Sequence, residues 1–170
     1  MRGLKSVLAG GLAVILGAGP RPALADACGT VMDAMFAQAK LPYAGGGDMI
    51  HPGAAPMHTE VVVTGGKMYV MVMGKWQSMP FSAEETISTA KQKMAESTHT
   101  CQQVGSETVN GEGATIYSEH ADKAGGVESR VWISDSRGLP LKVEVKVPSG
   151  AMTQTMEYHY DNIQAPAGVK

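Results

Sequence analysis

The chain changes its hydrophobic period near residue 58. Before that point Val31, Met32, Met35, Phe36 and Ala39 recur at helical spacing, which puts one apolar stripe on a helix over Cys28–Lys40, closed by Pro42. Residues 44–56 contain Gly45-Gly46-Gly47, Pro52, Gly53 and Pro56 and have no period, so a long loop is expected there. Then come short β-branched runs parted by tight turns: Thr59–Thr64, Gly65-Gly66, Lys67–Met73, Gly74-Lys75 and Trp76–Phe81. They read as a three-strand meander. Ser82 followed by Glu85 is a capping box that opens a second helix, whose narrow apolar stripe is Ile87, Ala90 and Met94.

Beyond Cys101 the pattern is strand and turn only. Gln102–Val109 and Ala114–His120 flank Asn110-Gly111, the strongest short-range hairpin signal. Val127–Ser134, Leu139–Val147 and Ala151–Asp161 follow, parted by turns at 122–126, 135–138 and 148–150. In the fourth of these five runs Leu139, Leu141, Val143, Val145 and Val147 alternate with Lys142, Glu144 and Lys146. Hairpin-length links predict an antiparallel sheet. The expected fold is α+β: about eight strands in a curved antiparallel sheet, with two helices inside its curve.

The first residues follow a different rule. Arg2 and Lys5 precede an apolar run from Val7 to Ala18, and Ala23-Leu24-Ala25 places small residues where a signal peptidase reads. This predicts a secretory signal peptide over residues 1–25, cut after Ala25, and a single domain over 26–170 in the periplasm. The run is shorter than the roughly 20 residues a membrane span needs, so no stable membrane span is expected. Lipidation at Cys28 is disfavoured because Ala25-Asp26-Ala27 lacks the leucine a lipobox wants. A formal charge of -2 argues against a nucleic-acid partner, since phosphate needs a basic stripe.

Export also bears on the cysteines. Cys28 and Cys101 are the two present, and an even count in an oxidising compartment favours a disulfide between them. The alternative, a reactive thiol at Cys101 with His99 as its base, lacks a CxxC or other redox signature. Two thiols are too few for a four-cysteine zinc site.

The twelve methionines are many for this length. Methionine is unbranched and polarisable, so it suits either an ordinary core or a plastic cavity that accepts an apolar guest. In the last run Met152, Met156, Tyr158 and Tyr160 share a face, and over Lys67–Met73 both faces are apolar.

The C-terminal third carries a resemblance. Arg130-Val131-Trp132-Ile133-Ser134, the turn into Gly138-Leu139-Pro140-Leu141-Lys142-Val143-Glu144, and the closing Tyr158-His159-Tyr160-Asp161-Asn162-Ile163 resemble the LolA-like outer-membrane lipoprotein carriers and their relatives. Tyr69–Trp76, with Gly74 ahead of Trp76, also fits. The resemblance implies an open half-barrel wrapped over helices, and non-enzymatic binding of a lipid, a lipoprotein acyl chain or another hydrophobic small molecule in its hollow. The residues expected to face such a ligand are Met71, Met73, Val131, Ile133, Leu141, Val143, Met156 and Tyr158.

Catalytic signatures are missing: there is no GxSxG, HExxH, Walker A or dinucleotide fingerprint, so neither an enzyme nor a cofactor is expected. Two rival readings stand beside the carrier. Met49, His51, Met57 and His58 flank the Gly/Pro segment, and thioether with imidazole suits copper in an exported protein. Alternatively the sheet docks another envelope protein and the supposed cavity is plain core.

Overall fold

A computed structural model describes residues 24–122, 126–147 and 152–169. The predicted signal peptide lies almost wholly outside these residues, as do residues 123–125 and 148–150 of two predicted turns and residue 151 at the head of the last predicted strand. The order is α1 (Leu24–Ala39), β1 (Tyr43–Ile50), β2 (Met57–Thr64), β3 (Lys67–Val72), β4 (Lys75–Pro80), α2 (Ala83–Ala95), β5 (His99–Val109), β6 (Glu112–Ala121), β7 (Val127–Ser134), β8 (Pro140–Val147) and β9 (Met152–His159). No described helix is long and apolar enough to cross a membrane.

The nine strands form one antiparallel sheet in the order β4-β3-β2-β1-β9-β8-β7-β6-β5. Each neighbouring pair except β1–β9 is also consecutive in sequence, as the hairpin-length turns require. The Asn110-Gly111 turn has φ of 51° and 85°, the left-handed pair expected of its sequence. Ser82 caps α2 by accepting from the Glu85 amide at 3.2 Å.

Two expectations are corrected. The segment predicted as a loop over 44–56 is mostly β1, so nine strands replace about eight, and four rather than three precede α2. Glycines mask the strand signal because they add no side-chain alternation, yet here they are what lets the strand fit. A Cβ on Gly47 would lie 1.8 Å from the Thr155 carbonyl oxygen, and one on Gly45 would lie 2.7 Å from the Tyr158 ring. Close approach of the β9 backbone at Gly47, and of the Tyr158 ring at Gly45, is what glycine accommodates there.

The second correction concerns α2, expected to cover the sheet jointly with α1. None of its residues is buried. It joins β4 to β5, the two edges of the sheet, so it runs as a strap between them. Lys91 on the strap sits 5.4 Å from the Phe36 ring centre on α1.

The main core lies under α1, where Val31 and Ala34 pack on Val131 and Ile133 with Met35, Tyr117 and Val143 around them. A disulfide joins Cys28 on α1 to Cys101 on β5, with Cα atoms 5.1 Å apart. A second cluster lies on the other face, where Trp132 packs with Val109, Ala114 and Leu141. The Trp132 indole donates to Glu107 at 2.7 Å, and the Lys142 ammonium lies 4.6 Å from its ring centre.

Candidate functional site

Register and alternation assign each strand residue to a face. Val131 pairs with Val143 and Val143 with Met156, so all three share the inner face on which α1 packs. Two residues on, Tyr158 points the same way and pairs with Gly45, which pairs with Val61 and through it Val70. The neighbouring row runs Val145, Gln154, Met49, Met57.

The inner face of β1–β3 is thus apolar, but it is only half covered. Val61, Val70, Met49 and Tyr158 are half-buried and Met57 is 54% exposed. At Gly45 the place of a side chain is taken by the Tyr158 ring, and at Gly47 by the Thr155 backbone. Tyr158 meets Tyr43 edge to face at 5.9 Å between ring centres. Burial, with Tyr43 adding to it, pushes the Tyr158 phenol up to about 12, and burial raises Tyr43 as well. Both hydroxyls therefore sit where charge is poorly solvated. At one end Gln38 of α1 donates to the Tyr160 hydroxyl at 3.1 Å, and that hydroxyl donates to the Pro140 carbonyl.

The inner face ends in polar residues at the β5 edge. Cys101 pairs with Glu119 and Glu119 with Ser129, which adjoins Val145 in the same row. His99, two residues before Cys101, points to this face as well. Its Nδ1 is 2.7 Å from Glu119 and its Nε2 is 2.5 Å from the Ser97 hydroxyl, while Ser129 donates to Glu119 at 3.0 Å.

The structure distributes the eight residues expected to face a ligand. Met156 and Tyr158 lie on the inner face beside the half-covered rows of β1–β3. Val131, Ile133 and Val143 are on the same face but beneath α1. Leu141 sits at a β-bulge in the β7–β8 ladder and packs with Trp132 in the other cluster. Met71 pairs with Trp76 on the outer face, and Met73 is 99% exposed at the β3–β4 turn with φ of 49°. Sequence reasoning missed Val61 and Val70, although the period-two spacing of Val61 with Val63, and of Met68 with Val70, was there to be used.

The Met/His set is likewise spread out. Met49 and Met57 face each other on the inner side, whereas the next pair, Asp48 and His58, faces outward. His58 Nδ1 contacts Asp48 at 2.9 Å and its Nε2 lies 3.6 Å from Glu60. His51 stands in the turn between the strands. Among the described residues no three His, Cys, Asp or Glu side chains gather as a metal site.

Comparison with known proteins finds no matching family model. No curated protein matches the sequence either. Solved structures do match. The Mycobacterium tuberculosis lipoprotein LppX is 11% identical with a TM-score of 0.52, over 84% of this chain and 99% of that one. MucB is 17% identical with a TM-score of 0.49, over 84% of this chain and 64% of that one. LprF of Mycobacterium bovis is 14% identical with a TM-score of 0.49, over 86% and 96%. The likeness to LppX shows a shared fold, the α+β arrangement of one antiparallel sheet with two helices that the sequence leads one to expect.

Proposed function

We propose that the protein is exported, loses residues 1–25, and holds a lipid, a lipoprotein acyl chain or another apolar ligand in the hollow between α1 and the inner face of β1–β3. One observation carries this reading. Val61, Val70, Met49 and Tyr158 form a half-covered apolar surface on the face that elsewhere builds the core. A soluble protein tends to cover such a face, so an uncovered stretch points to a ligand. Met156 and Tyr158 line the hollow on this reading, Val131, Ile133 and Val143 back the wall it shares with α1, and methionine side chains adapt to guests of different shape. Burial of each methylene contributes about 0.8 kcal/mol, so ten would contribute about 8 kcal/mol against the cost of association.

The fold shared with LppX, itself a lipoprotein, supports this reading through architecture alone. The test is a fluorescent fatty-acid probe titrated into delipidated protein, with native mass spectrometry of mildly purified material beside it. Val61→Asp places a charge on the inner face and lowers probe affinity at least about 10-fold, whereas the outward Glu60→Gln leaves it unchanged. A protein that neither carries lipid nor binds the probe is no carrier.

A further inference from the structure

The second polar feature of the inner face has its own chemistry. Glu119 holds His99 Nδ1 at 2.7 Å with one carboxylate oxygen and accepts from Ser129 at 3.0 Å with the other. An ionised carboxylate only accepts, so Nδ1 carries a proton toward Glu119, and in the neutral form of the ring Nε2 is then the acceptor. The Ser97 hydroxyl, 2.5 Å from Nε2, is its donor. The competing contact, from the same hydroxyl to the Lys93 carbonyl, is 3.5 Å long and much weaker. A hydroxyl aimed at a basic nitrogen, whose other nitrogen is oriented by a carboxylate, is the arrangement that activates a serine for attack.

The fold assembles this group from separate elements, which is why no linear motif marks it. Ser97 follows Glu96, the C-cap of α2, and a hydrogen bond donated by the Asp122 backbone N–H to the Thr98 carbonyl at 3.2 Å pins the link before β5 begins. Glu119 comes from β6 and Ser129 from β7. Cys101 is tied up in the disulfide, so His99 has no thiol to serve. The His99 and Glu119 side chains are 15% and 21% exposed, shielded yet reachable, and Ser97 is half-buried.

We propose that Ser97, His99 and Glu119 are a nucleophile, base and positioning carboxylate that hydrolyse carboxylic esters at the β5 edge of the inner face. Ser97 Oγ bonds to the ester carbonyl carbon while its proton passes to His99 Nε2. The carbon–oxygen bond to the alcohol then breaks, and the departing oxygen takes that proton. Water, deprotonated by the same nitrogen, attacks the acyl-serine, the serine oxygen recovers the proton, and a carboxylic acid leaves. Ester and water give acid and alcohol, with no further reactant. Glu119 holds the tautomer and stabilises the imidazolium, and Ser129 orients Glu119. Val145 adjoins Ser129 in the same row, and Met49 follows beyond Gln154, so the inner face beside the triad offers apolar contact to the acyl part of an ester.

The test uses the purified protein with a fluorophosphonate probe and with p-nitrophenyl butyrate, neither of which needs a long-chain pocket. The probe is expected to label Ser97 in the wild type and to lose that label in Ser97→Ala. Glu119→Gln should lower kcat/KM at least about 100-fold while melting with the wild type, and added imidazole should restore part of the turnover of His99→Ala. An unlabelled Ser97, or equal ester turnover by wild type and Ser97→Ala, overturns the proposal. Fatty-acid binding measured on the same samples is a separate readout: the triad can fail while the carrier reading stands, and the reverse.

Discussion

At the residue scale the firmest electrostatic feature is Glu112, at the start of β6. It accepts from Arg137 Nε at 3.0 Å and Ser136 at 2.9 Å, and is also bonded to Ser134 and to Arg137 Nη2. Arg137 in turn lies 3.7 Å from Asp161 and 5.3 Å from the Tyr160 ring centre. The hydrogen bond from Arg137, followed by that from Ser134, holds the Glu112 carboxyl at about 2, below its ordinary 4.5. A lowered folded-state value means that the carboxylate stabilises the fold fully above about 4.5. That contribution disappears as the pH falls through about 2. Urea unfolding across pH 2 to 7 should therefore show stability declining within that window. Glu112→Gln should be less stable at neutral pH and should flatten this part of the slope.

At the scale of single elements β1 decides whether the sheet is continuous, because it alone pairs strands distant in sequence. Its three glycines are not equivalent. Gly47 faces the Thr155 backbone, which cannot yield without moving β9, whereas the nearest atom to a Cβ on Gly46 is His58 Nε2 at 3.8 Å. Gly47→Ala is expected to destabilise by about 3 kcal/mol, and Gly46→Ala to stay within about 0.5 kcal/mol of the wild type, by denaturant titration. Equal effects would mean that β1 does not sit as closely on β9 as described. The glycine run hid this strand from pattern reading, since period-two alternation needs side chains to be visible. The strands with real alternation, β7 and β8 above all, were legible for the same reason.

For the molecule as a whole, the disulfide does what a larger interface would otherwise have to do. α1 docks on one half of a nine-stranded sheet, and the bond from Cys28 to Cys101 closes a loop across a sequence separation of 73. In the chain-entropy account that closure contributes about 4 kcal/mol. Replacing both cysteines by serine should lower the urea-unfolding free energy by about that amount, and the wild type in reductant should match the variant. A loss below about 1 kcal/mol would show that α1 is held by packing alone. The candidate site was only partly legible at this scale. Tyr158 and Met156 were within reach of the alternation in β9, but no local pattern says which apolar rows a helix will cover.

The sequence by itself determined the local elements. Helical spacing, the Ser82 cap, the Asn110-Gly111 turn and the alternation in the C-terminal strands each act over a few residues, and their physics is complete at that range. Tertiary structure decided the rest. Whether Val131 and Val61 end as covered core or open wall depends on where α1 lands. Whether Ser97, His99 and Glu119 meet depends on how the end of α2, β5 and β6 are brought side by side. Both outcomes rest on contacts between residues far apart in the chain, and the backbone register that creates them exists only once the sheet has formed.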